Sequence, residues 1–223
     1  MRKNKIRSVI FDLDGTLLDT TEEIHYIFNK VLSLNNLPVR SQQFYKENIG
    51  KGIDHLLSQV IPNDFTGDYG LILDQAKEFY AKDLNKKATV FAGIYDILDL
   101  LVENDIRIGI VTNKIHHLAL RCVKLFFKKY NIETIGAEHL YPRKPVPESA
   151  LFLAKYFDHR SSDILFVGDS QVDIQTAQNA GMGSVGVLWG NGTFSELESA
   201  GADVIFKNTN DLHKYIFDIL NHI

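Results

Sequence analysis

The sequence predicts an α/β fold, a doubly wound, Rossmann-like parallel sheet with an all-helical domain inserted after its first strand. Short apolar runs rich in β-branched residues recur along the chain, and such continuous hydrophobicity is typical of strands that are covered on both faces. Amphipathic stretches with helical spacing separate most of these runs, as in alternating strand–helix units. A long interval between the first run and Ile106 carries no clear strand pattern, and it predicts the helical insertion.

The predicted strands of the sheet are short and apolar. They cover residues 8–13, 106–112, 132–135, 163–168, 184–188 and 203–206. The stretches between them carry apolar residues at helical spacing, as Ile174, Ala177 and Ala180 do after the fourth strand. Strand, helix and strand in repeated order predict a parallel sheet with helices on both faces.

The interval after the first strand contains a series of helical patterns. Thr20 to Glu23 matches a capping box that opens a helix, and helical spacing recurs over residues 42–48, 53–60 and 69–84. Loops rich in glycine, proline and asparagine separate these stretches. We therefore predict a core domain formed by residues 1–17 and 88–223, and a helical cap domain formed by residues 18–87.

Composition and charge exclude several classes of protein. The chain has 223 residues, 45% of them hydrophobic, and a net charge of -4, so no overall basic field attracts nucleic acid or an anionic membrane. No stretch approaches the roughly 18 apolar residues of a membrane span. Cys122 is the only cysteine, which rules out an intramolecular disulfide and fits a reducing cytosol. We expect a cytoplasmic monomer or homodimer that acts on a small molecule, with no nucleic acid and no membrane as partner.

Carboxylates follow two of the predicted strands. Asp12 and Asp14 come at the end of the first strand, and Asp169 and Asp173 follow the fourth. Ligands of open α/β sheets bind beyond the carboxyl ends of the strands, where the strand order reverses. If these two strands are neighbours, the carboxylates converge, which requires a cation, and an all-oxygen ligand set suits Mg²⁺.

Polar residues that can contact a phosphate follow the second and third predicted strands. The second strand ends in Thr112 and Asn113, a hydroxyl and an amide, and Lys144 comes after the third. A lysine near several carboxylates acts as a point cation toward phosphate. Phosphoryl transfer requires a set of groups of this kind: a carboxylate nucleophile, a second carboxyl group, a metal, a hydroxyl and a lysine.

For some other residues a structural interpretation is simpler than a functional one. Lys114 is interpreted as a solvated residue that opens a helix, and Cys122 as a core residue on the apolar face of a helix. Asn191-Gly192-Thr193 matches a glycosylation sequence, but without secretory context we interpret it as a turn.

The ordered motifs resemble those of the haloacid dehalogenase superfamily. They are Asp12-Leu-Asp14-Gly-Thr16, Thr112, Lys144-Pro145 and Gly168-Asp169-Ser170-x-x-Asp173. The insertion resembles the helical cap of that superfamily's first cap class. Further segments resemble its phosphoglycolate phosphatase-like branch: Thr112-Asn-Lys114, Lys144-Pro-Val-Pro-Glu148, Ala180-Gly-Met182, Leu188-Trp-Gly190 and, in the cap, Gly50-Lys51-Gly52.

This resemblance implies a two-step mechanism. Asp12 would attack phosphorus and become an aspartyl phosphate. Asp14 would protonate the leaving oxygen and then deprotonate the water that hydrolyses the intermediate. The cap would close over the site and exclude bulk water.

The resemblance also implies a ligand set. The carboxylates of Asp12 and Asp169, the backbone carbonyl of Asp14 and, directly or through water, Asp173 would hold Mg²⁺. Thr112, the backbone of Asn113 and Lys144 would bind the phosphoryl oxygens. Lys51, between two glycines of the cap, is a candidate contact to the substrate.

Several functions remain open at this point. The main hypothesis is a Mg²⁺-dependent phosphatase that hydrolyses a small phosphomonoester resembling phosphoglycolate. A pyrophosphatase is a close alternative, and a phosphomutase of the β-phosphoglucomutase type would share the core but return the phosphoryl group to a sugar. A dehalogenase does not fit, because that reaction needs neither Asp14 nor a metal. A non-catalytic phosphate-binding regulator does not explain why every core motif is intact.

Overall fold

The structure, a computed structural model, describes residues 6–221 of the chain. Within these residues the main sheet consists of β1 (Ser8–Phe11), β4 (Arg107–Ile115), β5 (Ile132–Ala137), β6 (Ile164–Gly168), β7 (Gly183–Val187) and β8 (Val204–Phe206). The strands are all parallel and lie in the order β5-β4-β1-β6-β7-β8. Each of the predicted strands is present, and the predicted α/β fold with a doubly wound parallel sheet is confirmed.

Helices cover both faces of this sheet and also form the insertion. They are α1 (Thr21–Leu34), α2 (Gln42–Asn48), α3 (Ile53–Val60), α4 (Tyr69–Asp83), α5 (Ile94–Glu103), α6 (His116–Phe126), α7 (Glu148–Tyr156), α8 (Gln171–Ala180), α9 (Phe194–Ser199) and α10 (Thr209–Asn221). Among the described residues, no helix combines the length and the apolar character that crossing a membrane requires.

The central strand β1 shows why the sheet is buried on both sides. Val9 and Phe11 pack into the larger apolar cluster, and Ile10 packs into a second cluster on the other face. Successive side chains of a strand point to opposite faces, so a continuous apolar run fills both layers. The strand is buried along its whole length, as the continuous pattern predicts.

The order of the strands brings two functional segments together. Starting from β1, the chain adds β4 and β5 on one side and then returns to add β6, β7 and β8 on the other. Consequently β1 and β6 are neighbours in register, with Phe11 opposite Val167. The residues that follow these strands, Asp12 and Asp169, therefore meet at the switch point of the sheet.

Helices α1 to α4 lie between two short strands, β2 (Leu18–Asp19) and β3 (Thr89–Val90), which pair antiparallel. These helices pack on one another, and their inward faces are apolar, with Phe28, Tyr45 and Leu57 fully or almost fully buried. The segment that leaves the sheet region and the segment that returns to it therefore lie side by side. The helical patterns predicted for this interval agree with α2, α3 and α4 in their positions.

The predicted capping box at the start of α1 is wrong. Thr20 is the residue before the helix, but its side chain makes no capping hydrogen bond, and its hydroxyl is buried without a partner. Instead, Oδ1 of Asp19 accepts a hydrogen bond from the backbone N–H of Thr21 at 3.1 Å. Glu23, which would have completed the box, is buried and accepts a 3.4 Å hydrogen bond from Lys87 N.

Candidate active site

Asp12 lies at the carboxyl end of β1 and is almost completely buried. Its Oδ1 atom is 2.8 Å from Nζ of Lys144, whose side chain is only 1% exposed. The same ammonium is 2.5 Å from Oδ1 of Asp173. Lys144 is held in place by Asn113, because Oδ1 of Asn113 accepts a 2.9 Å hydrogen bond from the backbone N–H of Lys144.

A cluster of buried carboxylates surrounds this ammonium. Asp12, Asp169 and Asp173 each offer a carboxylate oxygen, and these oxygens all lie within 4.8 Å of one another. Asp173 lies in the first turn of α8, where Oδ2 accepts hydrogen bonds from the backbone N–H and the hydroxyl of Ser170 at 3.0 and 2.6 Å. Asp173 therefore caps a helix with one oxygen and contacts Lys144 with the other.

Burial, together with the neighbouring charges, shifts pKa values in the cluster. Burial, with the nearby charge of Asp173, raises the pKa of Asp12 to about 7 against the lowering effect of Lys144. Burial, with the charges of Asp173 and Asp12, raises the pKa of Asp169 to about 8. Burial opposes the charge on Lys144, but Asp12 and Asp173 raise its pKa above the ordinary value. One lysine is thus too little positive charge for three ionised carboxylates.

The residues of this cluster fit a divalent metal ion. Oδ1 of Asp12 is buried, and its contact with Lys144 lacks the angles of a hydrogen bond, so the atom has unused acceptor capacity. An oxygen-only ligand set of this kind suits Mg²⁺ better than zinc or copper. The carboxylate of Asp14 is not part of the cluster, so its predicted contribution to a metal is left to its backbone carbonyl.

A loop after β7 completes the surroundings of Asp169. Both oxygens of Asp169 accept hydrogen bonds, Oδ1 from the Thr16 hydroxyl at 3.0 Å and Oδ2 from the backbone N–H of Asn191 at 2.7 Å. Gly190 allows the close approach, since a Cβ atom there would lie 2.1 Å from the Gly15 carbonyl and 2.4 Å from Asp169 Oδ2. The segment that we interpreted as a simple turn therefore orients a candidate metal ligand.

Asp14 points toward a different partner, Lys114. Nζ of Lys114 lies 2.9 and 3.1 Å from the two carboxylate oxygens of Asp14, and it donates a 2.5 Å hydrogen bond to the hydroxyl of Tyr80. Burial opposes the charge on Lys114, but Asp14 and Tyr80 raise its pKa well above the ordinary value. The interpretation of Lys114 as a solvated residue is wrong, since its side chain is 0% exposed. The reason is that β4 continues to Ile115, so Lys114 belongs to a buried strand instead of opening a helix.

A small cavity lies between the edge of the sheet and the helical insertion. Its volume is about 40 Å³, and it is lined by Asp12, Asp14, Thr112, Asn113, Lys114 and Tyr80, together with apolar residues of α1 and α3. Thr112 is buried at the end of the predicted strand segment. The side chain of Asn113 is already engaged, since its amide donates to the carbonyls of Gly50 and Lys144. The part that Asn113 can play toward a substrate is therefore the backbone one that we predicted.

Lys51 lies outside this cavity. It is exposed in the segment between α2 and α3, and it lines a wider groove of about 540 Å³ together with Lys46, His55 and Arg143. Its neighbours Gly50 and Gly52 do reach the cavity. The structure thus brings Asp12, Thr112, Asn113 and Lys144 together with the acidic cluster, and it leaves Lys51 at the rim.

The sequence interpretation gave no role to Lys114, Tyr80 or Asn191. Extending the predicted strand 106–112 by three residues would have indicated that Lys114 faces the site. Residues two apart on a strand face the same side, and Thr112 already faces the site. Tyr80 carries no sequence signal of its own, since it lies on a helix of the insertion. Asn191 lies between Gly190 and Gly192, and this pair of glycines could have marked a close backbone approach.

Comparisons with known proteins show what this chain is similar to. The family model described as haloacid dehalogenase-like hydrolase matches residues 9–187. The phosphoglycolate phosphatase of Salmonella typhimurium is 30% identical, and the match covers 93% of this chain and 91% of the relative. The phosphoglycolate phosphatase of Vibrio parahaemolyticus is 25% identical over 220 residues, 95% of this chain and 96% of the relative.

A solved structure shows the same architecture. The crystal structure of a predicted phosphoglycolate phosphatase from Haemophilus somnus has a TM-score of 0.85 at 25% identity, and the match covers 95% of this chain and 98% of that one. The family model spans most of the chain and includes Asp12, Lys144 and Asp169. The chain therefore belongs to the haloacid dehalogenase-like hydrolase family and resembles its phosphatases.

Proposed function

We propose that this enzyme is a Mg²⁺-dependent phosphatase that hydrolyses a small phosphomonoester resembling phosphoglycolate through an aspartyl phosphate on Asp12. The observation that carries the proposal is the contact of Asp12 with Lys144 inside a buried acidic cluster, with Asp14 in the same cavity. A carboxylate beside a fixed ammonium is positioned to accept a phosphoryl group whose charge the ammonium neutralises.

In the first step, the Asp12 carboxylate attacks phosphorus and the bond from phosphorus to the ester oxygen breaks. Asp14 gives a proton to that oxygen, so the alcohol leaves as a neutral product. Thr112, the backbone of Asn113 and Lys144 hold the phosphoryl oxygens in this proposal, because these groups lie at the same sheet edge as Asp12.

In the second step, Asp14 takes a proton from a water molecule that attacks the phosphorus of the aspartyl phosphate. The acyl phosphate bond breaks, which releases inorganic phosphate and restores the Asp12 carboxylate. One residue can serve both steps, because it finishes the first step as the carboxylate that the second step requires.

Asp12, Asp169 and the Asp14 backbone carbonyl would hold Mg²⁺, with Asp173 in support. The ion would neutralise the charge of the phosphoryl group and of the carboxylates. The raised pKa values of Asp12 and Asp169 support this assignment, because ionising both carboxyl groups requires more positive charge than Lys144 provides.

We further propose that residues 18–87 act as a cap domain on a core formed by residues 1–17 and 88–223. The pairing of β2 with β3 supports these boundaries, because it brings the two connections side by side where a hinge would be. Apolar residues of α1 and α3 form one wall of the cavity, so closure of the cap would exclude bulk water from the acyl phosphate.

The proposal includes the setting of the reaction. The small volume of the cavity supports a small molecule over a macromolecule as substrate, and with a net charge of -4 no overall basic field attracts nucleic acid. We propose a cytoplasmic enzyme, monomeric or dimeric, and the single buried thiol of Cys122 is compatible with a reducing compartment. Lys51, at the rim, would meet the substrate on its way into the site.

The experiment is to measure phosphate release from a panel of phosphate esters with Mg²⁺ and with excess chelator. The panel contains phosphoglycolate, pyrophosphate, nucleotides and hexose phosphates. We expect the highest kcat/KM for a short ester and loss of turnover with the chelator. Glucose 1-phosphate with its bisphosphate primer tests the phosphomutase alternative, since isomerisation without phosphate release would overturn the hydrolase proposal. Release of phosphate from none of the esters would overturn it as well.

A further inference from the structure

We propose that Lys114 and Tyr80 form a recognition site for a carboxylate on the leaving group of the substrate. The inference rests on the proposed phosphatase function, which already expects an ester resembling phosphoglycolate, and it deepens that function by assigning the residues that would select the carboxylate. The expected substrates are phosphate esters of short hydroxy acids, with the carboxylate on the carbon that bears the ester oxygen.

The first observation is a buried cation inside the cavity. The side chain of Lys114 is 0% exposed, and Lys114 lines the cavity together with Asp12 and Asp14. Among the described residues that line this cavity, Lys114 is the single cationic one. A buried ammonium is costly unless it has partners, and here these are the Asp14 carboxylate and the hydroxyl and ring of Tyr80.

The second observation is the apolar character of the remaining wall. Ile24, Phe28, Ile53 and Leu56 face the cavity from α1 and α3. A leaving group rich in hydroxyl groups would lose its hydrogen bonds to water there and find few partners in return. A carboxylate would find an ammonium and a phenol hydroxyl, two donors that suit its oxygens.

The contact between Lys114 and Asp14 connects this site with the chemistry. Asp14 must direct a carboxyl oxygen at the ester oxygen to act on the leaving group, and at least one donor of Lys114 is then released. The atoms next to the ester oxygen are by necessity close to Asp14, and Nζ of Lys114 is 2.9 Å from Asp14. A carboxylate one carbon away can therefore take over the released donor.

Charge and size favour a carboxylate over a second phosphoryl group. One ammonium matches the single charge of a carboxylate, whereas a second phosphoryl group carries more charge than Lys114 can neutralise. The cavity of about 40 Å³ also favours the smaller, planar group.

The test compares phosphoglycolate with 2-hydroxyethyl phosphate, which has a hydroxymethyl group in place of the carboxylate. We expect the wild-type kcat/KM to favour phosphoglycolate. In Lys114→Gln this preference should fall by about 10- to 100-fold, the range for a lost hydrogen bond to a charged group. In Tyr80→Phe it should fall by about 3- to 10-fold. A disturbance of Asp14 lowers kcat/KM for both substrates, so it cancels in the ratio of the two kcat/KM values. Lys124→Gln, at an exposed lysine of α6, is the matched control and should leave the ratio unchanged.

Several outcomes would overturn the inference while the proposed phosphatase function stands. One is an equal fall of kcat/KM for both substrates in folded Lys114→Gln, which would mean that Lys114 only positions Asp14. Others are a wild type that hydrolyses both esters equally well or prefers pyrophosphate to phosphoglycolate. If circular dichroism shows that Lys114→Gln does not fold, an unchanged ratio in Tyr80→Phe is decisive against the inference. By contrast, no phosphate release from either ester with Mg²⁺ present refutes the proposed function itself.

Discussion

Nζ of Lys144 lies 2.8 Å from Oδ1 of Asp12, although these residues are far apart in the chain. Asp12 follows β1, and Lys144 belongs to the loop between β5 and α7. Asn113 fixes the main chain of Lys144 through two hydrogen bonds, and it also donates to the carbonyl of Gly50 in the insertion. The ion pair is therefore set by the fold, before any substrate binds.

Replacing Lys144 by Met should lower kcat/KM by about 10²- to 10³-fold, as expected for the loss of one fixed charge that stabilises the transferring group. Lys144→Arg should not restore activity, because a planar guanidinium does not fit where a compact ammonium contacts Asp12 and Asp173. Steady-state phosphate release measures both, with Lys155→Met, at an exposed lysine of α7, as the control. Near wild-type kcat/KM in Lys144→Met would contradict the role given to Lys144.

The raised pKa values of Asp12, to about 7, and Asp169, to about 8, predict competition between protons and Mg²⁺. A carboxyl group with a raised folded pKa stabilises the protein below its unfolded pKa, and this stability is lost as pH rises through the folded value. The metal-free protein should thus lose stability from these groups as pH rises toward about 8, and added Mg²⁺ should restore most of it there.

Thermal unfolding with and without Mg²⁺, at about pH 6 and about pH 8.5, checks this expectation. The increase in Tm on adding Mg²⁺ should be larger at the higher pH, and it should disappear in Asp169→Asn. An increase that is the same at both pH values would show that protons and Mg²⁺ do not compete for these carboxylates.

Gly190→Ala should weaken Mg²⁺ binding, because the added Cβ would lie 2.4 Å from Asp169 Oδ2 and 2.1 Å from the Gly15 carbonyl. Either Asp169 or the loop must move. Mutation of residues that support a metal ligand commonly lowers metal affinity by about 10- to 100-fold. The Mg²⁺ dependence of turnover reports the change. Gly70→Ala, in the first turn of α4, is the control and should keep the wild-type Mg²⁺ dependence, so a Gly190→Ala protein that behaves like it would refute the argument.

Arg143 joins the core to the helical insertion, since it forms ion pairs with Asp54 of α3 and, at 3.1 Å, with Glu138. These partners are partly exposed, so Arg143→Ala should change stability by less than about 1 kcal/mol. If closure of the insertion matters for substrate capture, KM should rise several-fold while kcat changes less. Lys129→Ala, which removes the exposed ion pair with Asp99, is the control. Identical KM values for the two variants would contradict a role of Arg143 in closure.

Most of the sheet was predictable because its strands are buried on both faces. The run at β1 is apolar after Ser8, and the strand lies buried between β4 and β6 in the sheet. The start of α1 was not predictable in detail, because a Thr and a Glu with capping-box spacing carry no information on backbone angles. Thr20 has ψ near 5°, which is unlike the extended backbone of a typical capping residue.

The site was predictable as far as it depends on strand ends. Asp12, Thr112 and Asp169 follow strands of one parallel sheet, and their meeting point is a consequence of topology. Tyr80 was not predictable, because its contact with Lys114 depends on how α4 of the insertion packs over the sheet. Cys122 is buried as predicted, and its thiol donates to Asn85 instead of taking part in the site.

If Asp12 carries the phosphoryl group during turnover, the aspartyl phosphate can be trapped. Rapid acid quench during turnover, followed by peptide mass spectrometry, should find an acyl phosphate on the peptide that contains Asp12. Asp12→Asn should remain folded, lack this modification and lose at least about 10⁴-fold in kcat. Phosphate attached to another residue, or turnover near the wild-type rate in Asp12→Asn, would rule out Asp12 as the nucleophile.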